Sequence, residues 1–232
     1  MNGGIIMKDL IRILLFAASI LVISCIKPVK IIVPESMQNC PTMPVVGTEN
    51  SWRLDFGGFH AYNIKDRDSR ILLTDARNTS YDIKAFEYVL TTTGGAQYDC
   101  YCEFPLKSLD DETLRCIFQN ANNQFDTGEL TDRIISTATG DITIEGYYER
   151  EGKKSGSNKT LVGYLFKDSD QDIGLVDVSS TNNETVWIQP DIELHQQIMV
   201  AAAATSFVLK HRKWYTEFYN KMDRDTDNKK QF

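Results

Sequence analysis

Histidine is scarce: His60, His195 and His211 are the only three in 232 residues. None stands in a zinc-ligand or triad context, so a His-rich metal centre or a Ser-His-Asp hydrolase has little to build on. There is no G-x-S-x-G elbow to present a serine nucleophile. Gly57-Gly58 and Gly94-Gly95 are not followed by helix starts, which leaves a phosphate cradle unsupported. Positive charge is in deficit: 25 Lys and Arg stand against 32 Asp and Glu, a net charge of −7 with no basic stripe. That balance argues against nucleic acid as a partner. No apolar run reaches the roughly 20 residues that a membrane-spanning helix needs. Hydrophobic content of 42% with 10% aromatics is, by contrast, ample for a real core.

The apolar run that does exist sits near the N-terminus. Lys8 precedes, and Arg12 falls at the start of, the run from Ile11 to Ile23, whose end overlaps Val22-Ile23-Ser24-Cys25. A short basic region, an apolar stretch below spanning length and small residues before a cysteine make an export signal. The tetrapeptide resembles the lipobox of bacterial lipoproteins, with Val22 and Ile23 departing from the usual Leu and Ala or Ser. The resemblance implies cleavage before Cys25 and lipidation of that cysteine, hence a palmitate-bearing, membrane-anchored envelope protein. Ile26 rather than Asp follows Cys25, which implies the outer membrane. More than one acyl chain on Cys25 exceeds what stable anchoring requires. Residues 1–24 are then the signal peptide. Residues 25–50, with four of the six prolines between Pro28 and Pro44, read as a flexible tether.

Four more cysteines remain: Cys40, Cys100, Cys102 and Cys116. Outside the cytoplasm an even number suggests two disulfides. Cys100 and Cys102 fall two apart on one expected strand, roughly 6.5–7 Å between Cα atoms, at the limit of bridging. Each is therefore expected to pair with Cys40 or Cys116, in an order the sequence leaves open.

From residue 51 the signals are mostly β. Trp52, Leu54 and Phe56 alternate with charged residues. Phe86, Tyr88 and Leu90 alternate before Gly94-Gly95, and Tyr98, Cys100, Cys102 and Phe104 alternate after it, a hairpin pattern. Residues 141–150 with 160–167, and 174–179 with 184–189, form two further pairs. Residues 109–120 are ambiguous. The end differs: Ile198 to Leu209 is apolar or small on every side, which predicts a buried helix over 191–212. Lys210 to Lys213 would close it at the negative end of its dipole. Residues 216–232 read as a charged, frayed tail. The expected fold is mainly β with one buried C-terminal helix, either an antiparallel barrel or a β-sandwich with a packed helix, over residues 51–215.

That order of elements resembles the tubby-like superfamily, which includes the scramblase and LURP-one proteins. The resemblance is carried by Gly163 to Lys167, Ile173 to Val176, Val186-Trp187-Ile188 and Leu194 to Leu209, and it covers residues 50–212. It implies a closed barrel threaded by a hydrophobic helix, and a binding scaffold, in some members for anionic lipid headgroups. No ligand residue carries over.

Candidate chemistry is sparse. Asp168, Asp170 and Asp172 alternate as in a calcium loop, but Ile173 stands where Gly is needed and Ser179 where Glu is needed, so a solvated hairpin turn is the better expectation. His195 and His211 fall at the helix ends, as capping or surface groups. Phe56, Phe59, Tyr62, Tyr147, Tyr148, Tyr164 and Trp187 suit a core, with a lipid or carbohydrate face as the alternative. Nothing calls for a cofactor. The expected function is an envelope binding or scaffold module whose ligand is a lipid or a protein. The alternatives are an envelope enzyme built from scattered Asp, Glu and His, and a structural partner of an envelope complex.

Overall fold

Most inward-facing positions of the wall are apolar, and the wall closes around the chain's own C-terminal helix. The computed structural model describes residues 30–47, 52–67, 73–74, 80–81, 83–105, 113–131, 133–151 and 160–229, with side chains to Lys213. Residues 1–29, which include the expected signal peptide and Cys25, and residues 152–159 lie outside them. Twelve antiparallel strands form one sheet: β1 (Thr42–Pro44), β2 (Arg53–Phe56), β3 (Phe59–Arg67), β6 (Ile83–Thr92), β7 (Gln97–Pro105), β8 (Arg115–Asn120), β9 (Asn123–Thr131), β10 (Ile134–Thr137), β11 (Gly140–Tyr147), β12 (Gly163–Asp168), β13 (Gln171–Asp177) and β14 (Thr185–Ile188). A separate two-stranded ribbon pairs β4 (Leu73–Thr74) with β5 (Ser80–Tyr81). Neighbours in sequence are neighbours in space from β6 to β14, as short hairpin connections require. Gly95 at φ +85° takes the left-handed position in the β6–β7 turn. The two edge strands meet as well: Val46 and Asp55 exchange backbone hydrogen bonds of 2.8 and 2.9 Å. The result is a nearly closed barrel, which removes the edges that would otherwise template aggregation.

The single helix, α1 (Leu194–Lys229), threads it. Every residue from Ile198 to Lys210 is buried. Its contacts come from around the circumference. Tyr88 of β6 donates to Ala202 O at 2.6 Å, and Ser206 Oγ lies 3.1 Å from Cys102 of β7. Phe207 stacks on Tyr164 of β12 with ring centroids 3.8 Å apart. Gly128 of β9 faces Met199 and Gly174 of β13 faces Val200, where a Cβ would drive into the helix side chains. Thr205 and Ser206 satisfy their buried hydroxyls on Ala201 O and Ala202 O, one turn back. Fully burying each large side chain here stabilises by roughly 1.5–3 kcal/mol.

Midway along its length, where the buried stretch ends, α1 is gripped by charged side chains. Arg212 makes a bidentate pair with Glu184, both bonds 2.7 Å, and also donates to Gly47 O at 2.8 Å. The two side chains are 2% and 0% exposed. Lys210 donates to Thr113 O at 3.0 Å and lies over the Phe104 ring.

Three expectations need correction. The folded domain begins at Ile31, not Ser51. Residues 31–40 run along the outside of β12–β14, where Ile31, Met37 and Cys40 cover Val162, Leu165, Leu175 and Trp187. Strands β12–β14 are thus buried on both faces. β1 then pairs with β14 despite Pro41 and Pro44, because an edge strand tolerates proline. The helix does not stop at residue 212: its backbone continues to Lys229, through the stretch expected to be a frayed tail. Finally, one disulfide forms rather than two. Cys102 and Cys116 are direct partners across β7 and β8, Cα atoms 4.1 Å apart, and are bonded. Cys40 lies in the outer strap and Cys100 on the inner face of β7, so the wall separates them and both stay free and buried. Burial pushes the Cys100 thiol up to about 12, which makes it inert at neutral pH.

Candidate functional site

Because α1 runs buried through the barrel, the surface open to solvent lies on the outside of the wall. Alternation along β6, β7 and β8 turns Glu87, Val89, Asp99, Tyr101, Ile117 and Gln119 outward. Register aligns them in two rows, Glu87–Tyr101–Ile117 and Val89–Asp99–Gln119. β3 forms the side wall. Its register with β6 shifts between Tyr62 and Lys65, and Asn63 there adopts φ +55°. Such a bulge bends the strand and re-aims its side chains. The outcome is a groove of about 460 Å³ lined by Asn63, Lys65, Glu87, Tyr88, Val89, Asp99, Cys100, Tyr101, Ile117 and Gln119. Tyr101 is 39% exposed and Ile117 52%.

The charges in the groove are unequal. Glu87 accepts two 2.9 Å bonds from Arg67 and has Lys65 at 4.0 Å. The Arg67 guanidinium holds its carboxyl below the usual range. Asp99 has no hydrogen-bond or ion-pair partner among the described residues.

A second cluster sits where α1 enters. Asp126 of β9 takes His195 Nε2 at 2.9 Å, the Tyr98 hydroxyl at 2.6 Å and Asn120 Nδ2 at 2.8 Å. Burial pushes the Asp126 carboxyl up, but these donors and the His195 charge outweigh it and hold it below the usual range. Burial, then Asp126, pushes the Tyr98 phenol up. His195 is thus tied to the wall rather than a free surface group. Its Nδ1 is enclosed and has no partner, so it has no open path to a substrate. The arrangement fastens the first turn of α1 to β9.

The other sequence candidates are dispersed. His60 pairs with Asp55 at 2.7 Å on the β2–β3 hairpin. His211 lies midway along α1, just past its buried stretch; burial pushes it below the usual histidine range, against the pull of Glu184. The three histidines therefore assemble nothing together. Asp168 accepts Gln196 at 2.7 Å, Asp172 is bonded to Ser36, and Asp170 occupies the β12–β13 turn. Among the described residues no group of three His, Cys, Asp or Glu is placed to hold a metal ion. Phe56, Phe59 and Tyr164 are core residues, and Trp187 lies under the outer strap. The exposed aromatics are instead Tyr101, Phe125 and Trp52. Tyr101 was open to view in the sequence, since the alternation that buries Cys100 and Cys102 turns the residue between them outward.

Among the described residues no helix is long and apolar enough to cross a membrane. No protein-family model matches the chain, nor does any curated protein or any solved structure.

Proposed function

We propose that the chain is a lipid-anchored envelope protein whose helix-threaded barrel is a binding module without catalysis of its own. The observation that carries this reading is the enclosed helix: Ile198 to Lys210 are all buried, and among the described residues a groove lies on the outer wall. A barrel threaded by an apolar C-terminal helix also supports kinship with the tubby-like superfamily. Anchoring comes from lipidation at Cys25, and the outer membrane is the expected address. Cells grown with radioactive palmitate are expected to label the wild-type chain and to leave a Cys25→Ala chain unlabelled. A wild-type chain that takes up no label, or equal labelling of both chains, contradicts the anchoring.

The second reading is an envelope enzyme, favoured by the Asp126–His195–Tyr98 cluster. The enclosed His195 Nδ1 weighs against it.

A further inference from the structure

We propose that the groove between β3 and β8 takes a neutral saccharide, a ligand class that rests on the binding-module reading. Size narrows the choice first. Small-ligand sites hold about 300–1,000 Å³, and this groove holds about 460 Å³. A stable protein partner needs about 800 Å² on each side, far more than the ten lining residues offer. Four strands span roughly 14 Å at their usual spacing, room for a short chain of sugar rings.

Charge narrows it again. An anionic lipid headgroup or a free phosphate would meet Glu87 and Asp99, with only Lys65 to receive it. Lys65 already stands 4.0 Å from Glu87. A cation would meet Lys65 and Arg67, which compensate Glu87 and leave a single unpaired carboxylate. A neutral ligand rich in hydroxyls meets neither penalty.

The side chains then fit that ligand. Asn63, Asp99 and Gln119 each present two polar atoms in one plane, suited to adjacent hydroxyls that both donate and accept. Asp99 faces Gln119 across β7 and β8, and Tyr101 faces Ile117 one row away. Directly opposite partners stand about 4.5–5.5 Å apart at Cβ. The Tyr101 ring and Ile117 thus form an apolar shelf beside a polar one, matching the C–H face and hydroxyl rim of a pyranose. The wall is hydrogen-bonded sheet closed by the Cys102–Cys116 disulfide behind it, so little ordering is needed on binding.

The test is amide NMR of the folded protein titrated separately with maltotetraose, cellotetraose, mannotetraose and chitotetraose, and with inorganic phosphate and phosphocholine. At least one tetrasaccharide is expected to shift the Asp99, Tyr101 and Gln119 amides saturably. Tyr101→Ala and Gln119→Ala are each expected to weaken it about tenfold, the size of one lost aromatic or paired polar contact. Phe125→Ala, exposed but outside the groove, is expected to leave it unchanged. Both groove positions face outward, so spectra away from the groove report that the variants are folded. Shifts by phosphate or phosphocholine but by no saccharide overturn the saccharide and leave the binding module standing. Saccharide shifts that survive both groove variants overturn the site. Silence towards every probe overturns the saccharide and the binding module together.

Discussion

Arg212→Ala lowers the stability of the domain by about 3–5 kcal/mol, roughly 6–20 °C in Tm for a domain of this size. The magnitude follows from what stays behind. Glu184 is fully enclosed and takes both its hydrogen bonds from Arg212. Without the guanidinium its carboxylate is buried alone, and Gly47 O loses a donor as well. Glu184→Ala strands the opposite charge and costs a similar amount. Removing both together costs less than either change alone, because two well-packed apolar side chains replace a pair whose attraction mainly offsets its own desolvation. Urea unfolding of Arg212→Ala and of the Glu184→Leu, Arg212→Leu double variant measures this. A loss below about 1 kcal/mol in Arg212→Ala would mean that the pair is open to water and does not grip the middle of α1.

Phe207→Ala is expected to cost about 3–5 kcal/mol through lost burial and the cavity left behind. Its ring lies 3.8 Å from the Tyr164 centroid and 6.3 Å from that of Phe166, between helix and β12. The wall around it is hydrogen-bonded sheet and collapses poorly into a void, which puts the cost in the upper part of that range. Phe207→Leu, which keeps most of the volume, is expected to cost less than half as much. Equal losses for the two variants would show that ring stacking rather than filled volume holds the helix there.

The barrel was legible where its inner face is apolar and its outer face polar. The β6–β7 hairpin and the β11–β12 and β13–β14 pairs follow from alternation and turn residues. The buried helix follows from a run that is apolar or small all round. β8, β9 and β10 were missed for a physical reason. On β9 the inward positions are Asp126, Gly128 and Leu130: one holds His195, one makes room for Met199, and only Leu130 is apolar. A strand shaped around a helix side chain loses its period-2 signal. The strap over 31–40 was hidden likewise, since Ile31, Met37 and Cys40 follow no regular spacing and bury themselves only because β12–β14 supply a surface. Barrel and sandwich were indistinguishable in sequence, because closure rests on the Val46–Asp55 backbone bonds. The groove was legible in its parts, Tyr101 and Asp99 among them. Their meeting with Asn63 and Lys65 depends on the bulge in β3, which no local residue pattern announces.

The most direct test of a barrel filled by its own helix is a lysine scan of Ala201, Ala202, Ala203 and Ala204. Four residues in a row stand about 100° apart around a helix of 3.6 residues per turn, so every side of α1 is sampled. With the helix enclosed, each of the four variants fails to fold or loses more than about 3 kcal/mol, because each buries an unpaired ammonium. A variant that stays within about 0.5 kcal/mol of the wild type would mark an open side of the helix. That result would contradict the filled lumen and, with it, the argument that places binding on the outer wall.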